Sequence, residues 1–368
     1  MHVAYNLLHL VPSETGGAEV YARRLLPALR KAEPELEMTL FLGGAAAHED
    51  WGEGVEVVPL RFDPRSRVRR VLAEQTLLPA AVRRAAPDLL HNVFNTAPAV
   101  HPVPQVTTIH DLVFKRFPET HGLLAKGVEI LVPLAARHSD RVITDSEASK
   151  SDIVRFLGLP ADRVDVAPLG PGIPEDVKGP APLEVRRGFE IGDSPIVLSV
   201  LAKRPHKNAR RLIDAFTRVP NGVLVMPGYS TSYERELREE LDAAGLTERV
   251  RLLGWVDDEL LDGLYRAADC FVFPSLAEGF GLPVLEAMIR GAPVACSNTT
   301  SLPEVAGNAA LFFDPLDAEA IAVSVRRILE DAELAERLRA AGREQARQFS
   351  WEESARRTLA CYRRVLER

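Results

Sequence analysis

Cysteine is scarce in this sequence. Only Cys270, Cys296 and Cys361 occur in 368 residues, far apart and among apolar neighbours. That excludes a disulfide framework or a thiolate metal site and fits buried thiols in a reducing cytoplasm. No apolar run approaches the roughly 18–20 residues needed to cross a bilayer. The opening "MHVAYNLLHLVPSE" has neither a basic n-region nor a cleavage site, so no secretory leader is expected. Excess positive charge is missing too. A formal net charge of −7 argues against a nucleic-acid partner. Asp-x-Asp is absent, as are metal-spaced His–carboxylate clusters, a Gly-x-Gly-x-x-Gly fingerprint, internal repeats and low-complexity tracts.

What is present is alternation. With 46% hydrophobic and 26% charged residues, the composition is that of a soluble globular protein, long enough for two domains. In the first half the strand-like runs are "MHVAYNLLHL", "EMTLFLGG", "VEVVPL", "DLLHNV", "PQVTTIHDL" and "DRVITDS". They alternate with the helical "AEVYARRLLPALRKA", "LLAKGVEILVPLAARHS" and "EASKSDIVRFLG". In the second half "PIVLSVL", "VLVMPG", "VRLLGWV", "CFVFPS", "APVACSN" and "AALFFD" read as strands with helices between. Alternating units predict an α/β fold with parallel sheets covered on both faces, ligands binding outside the carboxyl ends of the strands. "GPGIPEDVKGPAP", residues 170–182, has the proline and glycine density of a linker. The expected division is a Rossmann-like domain over 1–170, a linker over 171–182 and a second such domain over 183–350. The amphipathic segment 351–368 is expected to pack on either domain.

The segment "PSLAEGFGLPVLEAM", residues 274–288, carries the densest chemistry. It reads as strand end, glycine turn and helix start, with Pro283 at the first helical position and Gly291 as the stop. Gly279 and Gly281 permit positive φ and close approach of a ligand. The unpaired N–H groups and dipole of the helix entrance form a phosphate seat. Glu278 and Glu286 cannot usefully touch a phosphate, but they accept hydrogen bonds from hydroxyls. The pattern suits a ligand with phosphate in its middle and hydroxyl-rich groups on both sides. A glutamate early in a helix is also favoured by the dipole alone.

Three other places fit a site. "LAKRPHKN" gathers Lys203, Arg204, His206 and Lys207 at a strand's end, where two cations clamp a diphosphate, and Asn208 is expected to cap the next helix. Arg210 and Arg211 read as helix surface. "TTIHDL" puts His110 and Asp111 at another strand end, against the plainer reading of a capping Asp beside a packed histidine. "ETGGAEVY" places Gly16 and Gly17 before a helix, a second anion-friendly entrance or a flexible loop.

With these residues in view, "EGFGLPVLEAM" resembles the Glu–x7–Glu motif of retaining glycosyltransferases of family 4. These have the GT-B fold, two facing Rossmann-like domains with a cleft between them. "GGAEVYARRL", "VTTIHDL", "VITDSEASKSDI", "KRPHKN" and "GAPVACSNTTSLPEVAGNAALFFDP" follow in the family's order over nearly the whole chain. "HDL" with "KRPHKN" is most similar to the bacterial mannosyltransferase-like branch that builds surface polysaccharides. The resemblance implies an acceptor-binding first domain and a nucleotide-sugar-binding second one, with the last helix returning to the first. It implies that Glu278 holds the transferred sugar and Glu286 the ribose, and that N–H groups around Phe280, Gly281 and Leu282 meet the phosphates. Arg204 and Lys207 would neutralise the leaving diphosphate. Gly16 and Gly17 would approach phosphate or acceptor on closure, and His110 would lie against the sugar. The base would sit near Trp255 and Val256. The family's arginine slot is Ala202 here, which leaves Arg204 and Lys203 both open as the phosphate clamp.

The resemblance further implies hexose transfer from a nucleotide sugar to a saccharide or lipid-linked hydroxyl, with retention and no obligatory metal. GDP-mannose is the first expectation for the donor, with UDP- and dTDP-sugars next. The alternatives are a nucleotide-sugar epimerase of the same fold and a non-catalytic sugar-nucleotide-binding protein. A phosphorylase would be longer, and an oxidoreductase is disfavoured by the missing fingerprint. Residues 61–84 hold seven arginines against two acids with apolar residues interleaved. They read as a solvated helix or as a face for anionic lipid. The expected placement is cytoplasmic, extended by peripheral contact with the inner face of the membrane.

Overall fold

A computed structural model describes residues 1–12, 16–117 and 125–367, without the side chains of Ala45, Ala125 and Lys126. Glu14 and Thr15 of the first glycine turn, and Leu123 and Leu124 of an expected helix, lie outside the described residues. The chain forms two compact units, Met1–Gly172 with Phe349–Arg368, and Ile173–Gln348.

The first unit holds seven strands: β1 His2–Asn6, β2 Glu37–Gly43, β3 Val55–Leu60, β4 Leu89–Asn92, β5 Gln105–Thr108, β6 Arg141–Thr144 and β7 Val164–Val166. They pair in parallel in the order β3-β2-β1-β4-β5-β6-β7. β7 is absent from the sequence expectation. It is three residues long, and its central Asp165 pairs with Arg141 of β6 at 2.6 Å, so no apolar run marks it. The second unit holds β8 Ile196–Leu198, β9 Val223–Met226, β10 Val250–Leu252, β11 Cys270–Phe273, β12 Val294–Ser297 and β13 Ala310–Phe313. Their order is β10-β9-β8-β11-β12-β13, again parallel.

Central strands such as β4, β8, β9 and β11 are buried along their whole length, because helices cover both faces of a parallel sheet. In each unit the winding reverses at one place, between β1 and β4 and between β8 and β11. A crevice opens outside the carboxyl ends of such a strand pair. All three cysteines are buried and unpaired, and burial pushes their thiols up.

The final helix, Trp351–Leu366, packs within the first unit against the helix Gly17–Ala32. Its Tyr362 reaches the core, where the hydroxyl lies 2.6 Å from His91 Nδ1, and His91 Nε2 meets Thr108 Oγ1 at 2.8 Å. This satisfies an imidazole that the strand run "DLLHNV" carries into the interior. The pairs Lys31–Glu352 and Arg363–Glu33 are exposed, each worth at most about 1 kcal/mol. The buried Leu359, Cys361, Tyr362 and Val365 therefore carry the docking.

Candidate active site

In the second unit the reversal point brings together the loop after β8 and the loop after β11. The two are knitted by backbone. His206 O accepts from Leu276 N at 2.9 Å, and Asn208 Nδ2 donates to Pro274 O at 3.0 Å and Pro315 O at 2.7 Å. The expected side-chain cap at Asn208 is not formed: the residue sits at φ 62° and its amide bridges these carbonyls instead. That bridge carries Lys207 to Glu278, with Nζ 2.6 Å from Oε1. Arg204, on the same loop, is exposed.

Glu278 is held from behind. Its N–H donates to Thr300 Oγ1 at 3.0 Å, and Ser301 Oγ donates to its carbonyl at 3.0 Å. Thr300 adopts φ 50°, an uncommon region for a β-branched residue, in the segment that supports this glutamate. The next helix is Leu282–Ile289, with Pro283 second rather than first, and Gly291 at φ 74° after its end. No side chain caps its entrance, and Gly281 there stands at φ 108°. The backbone conformation requires glycine here, and a Cβ would also come within 2.6 Å of Leu302 Cδ2, so that side chain would have to shift. The Phe280 side chain is buried.

Glu286, on the inner face of that helix, is only 5% exposed. Its Oε1 accepts from Ile173 N at 3.2 Å and its Oε2 from Tyr265 Oη at 2.9 Å. Burial raises its carboxyl, while Arg290 and these two donors oppose the rise.

Lys203 occupies a different environment from Arg204 and Lys207. Its side chain is fully buried, and Nζ donates to Met226 O at 2.9 Å, to Gly228 O at 2.7 Å and to Leu253 O. An ammonium has three donors, and all three are committed. The lysine therefore braces the ends of β9 and β10, and of the two candidates for a phosphate clamp Arg204 is the accessible one. Trp255, 61% exposed, and Val256 follow directly on the braced loop.

In the first unit His110 follows β5. Its Nδ1 lies 2.8 Å from Asp145 Oδ2 and its Nε2 3.1 Å from Val93 O. Burial works against a charged ring, but the Asp145 carboxylate, with Asp111 and the Val93 carbonyl, holds the imidazole above its ordinary value. Asp111 accepts from Val113 N at 2.9 Å and so does cap a turn. A ligand reaching His110 must displace the Val93 contact or meet the ring face. Tyr21 packs edge-on against this ring with centroids 4.7 Å apart, linking it to the helix that Gly16 opens at φ 64°. Nothing lies within 4 Å of where a Cβ on Gly17 would stand.

Three supporting groups went unread in the sequence. Asp145 follows the strand run "VIT", so the strand-end argument that picked His110 also points to it. Tyr265 and Thr300 touch glutamates 21 and 22 residues away, and no local pattern announces that. Among the described residues no cluster of His, Cys, Asp and Glu is placed to hold a metal ion.

Comparison with known proteins bears on this geometry. The profile of Glycosyltransferase Family 4 matches residues 15–171, and that of Glycosyl transferases group 1 matches residues 184–345. O-antigen chain mannosyltransferase B of Escherichia coli is 37% identical over 266 residues, 70% of each chain. The MMP alpha-(1->4)-mannosyltransferase of Mycolicibacterium hassiacum is 30% identical over 240 residues, 63% of this chain and 56% of that one. Among solved structures, sucrose-phosphate synthase of Thermosynechococcus elongatus superposes with a TM-score of 0.81 at 22% identity, covering 100% of this chain and 99% of the other. Anabaena HepE, in complex with UDP and glucose, gives 0.78 at 20% identity, covering 99% and 100%. These matches do not favour the epimerase reading. The chain belongs to glycosyltransferase family 4 and is a glycosyltransferase with the family's two-domain, Rossmann-like GT-B fold.

Proposed function

We propose that this enzyme transfers a hexose, mannose in the first instance, from a nucleoside diphosphate donor to a hydroxyl of a saccharide or lipid-linked acceptor in surface polysaccharide or glycoconjugate synthesis. The observation that carries the reading is the Lys207–Glu278 contact of 2.6 Å. In a nucleotide sugar the transferred ring and the departing diphosphate are neighbours, so groups that serve them must be neighbours too. Glu278 accepts from sugar hydroxyls, while Lys207, Arg204 and the N–H groups at Phe280, Gly281 and Leu282 receive the phosphates. Glu286 receives the ribose, and the base lies by Trp255 and Val256. In the first unit His110 serves the sugar, and Gly16 and Gly17 serve phosphate or acceptor. Residues 1–170 take the acceptor and 183–350 the donor.

Transfer proceeds with retention. No carboxylate nucleophile is singled out, so the acceptor oxygen attacks the face the diphosphate leaves. The anomeric carbon–phosphate oxygen bond breaks as the new glycosidic bond forms, and the acceptor's proton passes to the departing phosphate. GDP-mannose is the preferred donor, supported by the mannosyltransferase names of the relatives; UDP-sugars are second, supported by HepE. Incubation with GDP-mannose and an oligomannoside is expected to release GDP, give an α-linked product by NMR, and continue undiminished in EDTA. A β-linked product, or loss of activity in EDTA restored by a divalent cation, would overturn the corresponding part.

A cytoplasmic placement with peripheral contact to the inner face of the membrane belongs to the same proposal. The helix Arg67–Ala85 leaves Val68 70% and Leu72 57% exposed among its arginines. No described helix is long and apolar enough to cross a membrane, and the contact proposed for a lipid-linked acceptor is a surface one. Co-sedimentation with vesicles rich in anionic lipid at low salt, lost in Val68→Ser/Leu72→Ser, is the expected result. No co-sedimentation would remove this part.

A further inference from the structure

Glu286 is gripped in a way that its own helix does not require. Each oxygen takes one hydrogen bond, from Tyr265 Oη at 2.9 Å and from Ile173 N at 3.2 Å. A carboxylate offers about four acceptor positions, so one position on each oxygen remains. Two remaining positions side by side suit two adjacent hydroxyls.

Tyr265 is itself fixed. It lies fully buried on the helix Asp258–Ala267, and the Arg290 guanidinium stands 6.0 Å from its ring centroid. Arg290 Nε pairs with Asp262 Oδ1 at 2.9 Å, and Asp262 Oδ2 takes Arg266 Nε at 2.8 Å and Gly179 N at 2.9 Å. The strap from Ile173 to Gly179 is thus tied to Glu286 at one end and to Asp262 at the other. Burial and the Glu286 charge push the Tyr265 phenol up, so it stays a neutral donor. A tyrosine needed only for packing would not need a hydroxyl aimed at Glu286, the one carboxylate of the helix Leu282–Ile289.

We infer that Tyr265 is a positioning residue for Glu286, fixing the carboxylate so that its remaining acceptor positions receive the 2′ and 3′ hydroxyls of the donor's ribose. The inference rests on the ribose role proposed for Glu286 and adds a consequence. Discrimination between ribo- and 2′-deoxyribonucleotides depends on a residue that touches neither.

The test is calorimetric titration of wild type, Tyr265→Phe and Glu286→Gln with GDP and 2′-deoxy-GDP, and with UDP and 2′-deoxy-UDP. The ratio of the two affinities is read on one preparation, so it is independent of the folded fraction. Wild type is expected to prefer the ribonucleotide by about tenfold or more, the worth of one hydrogen bond to a charged group. Tyr265→Phe is expected to cut that ratio at least about threefold, chiefly by weakening the ribonucleotide. If Glu286→Gln abolishes the preference and Tyr265→Phe keeps the wild-type ratio, the inference is overturned while the ribose role stands. If wild type shows no preference, or Glu286→Gln keeps it, the ribose role fails and the inference with it. Should Tyr265→Phe not fold, Tyr265→Met fills most of the ring's space and likewise removes the hydroxyl that donates to Glu286. An unchanged ratio there overturns the inference equally.

Discussion

Lys203→Met is expected to lower the unfolding midpoint of the second unit by about 6–12 °C, following a loss of about 3 kcal/mol. Methionine fills most of the volume but donates nothing, so the carbonyls of Met226, Gly228 and Leu253 lose a shared partner in a buried place. The pH dependence identifies the cause. Burial lowers the Lys203 ammonium to about 8, with Glu234 opposing. An unfolded lysine titrates near ~10.4, so between these values the unfolded chain holds more protons than the folded one. In that window this group makes stability rise with pH, and below it the contribution is flat. Thermal unfolding at several pH values is expected to show that slope in wild type and not in Lys203→Met. Equal midpoints for the two proteins would mean that the three carbonyls find other partners.

Lys207→Met is expected to lower transfer by about 10²–10³, the usual worth of one preorganised group facing charge that develops in the transition state. The diphosphate gains charge as the anomeric bond breaks, and Lys207 stands 2.6 Å from Glu278, the residue proposed to hold the transferred sugar. Lys207→Arg keeps the charge and is expected to retain more activity. Glu278→Gln keeps the shape but loses the charged acceptor, and its transfer is expected to fall as well. Undiminished transfer by Glu278→Gln would remove its role in holding the sugar. Steady-state rates with GDP-mannose read all three variants.

Much of this site is legible in the sequence because local rules create it. The run "CFVFPS" followed by "EGFGLPVLEAM" already specifies a buried strand, a positive-φ glycine and a helix entrance without a side-chain cap. Those three features are found at β11, at Gly281 and at Leu282. What joins distant segments is not legible. Lys203, Arg204 and Lys207 form one cationic cluster in the sequence, yet fold directs Lys203 inward to three carbonyls and Lys207 outward to Glu278. Asn208 has the residue type of a cap, but its backbone stands at φ 62° and its Nδ2 donates to two carbonyls far along the chain, Pro274 and Pro315, while its side chain caps no helix N–H. β7 escapes notice because its middle residue is an aspartate whose partner lies on the neighbouring strand.

In the proposed function the loops after β8 and β11 form a seat for a nucleoside diphosphate, with Lys207 as one of its cations. The most direct measurement is titration of GDP and UDP into wild type and Lys207→Met in the same low-salt buffer. The predicted result is saturable binding of one diphosphate to wild type, weaker for the matching monophosphate, and at least about tenfold weaker in Lys207→Met. Equal affinities of wild type and Lys207→Met, or binding that ignores the number of phosphates, would contradict it.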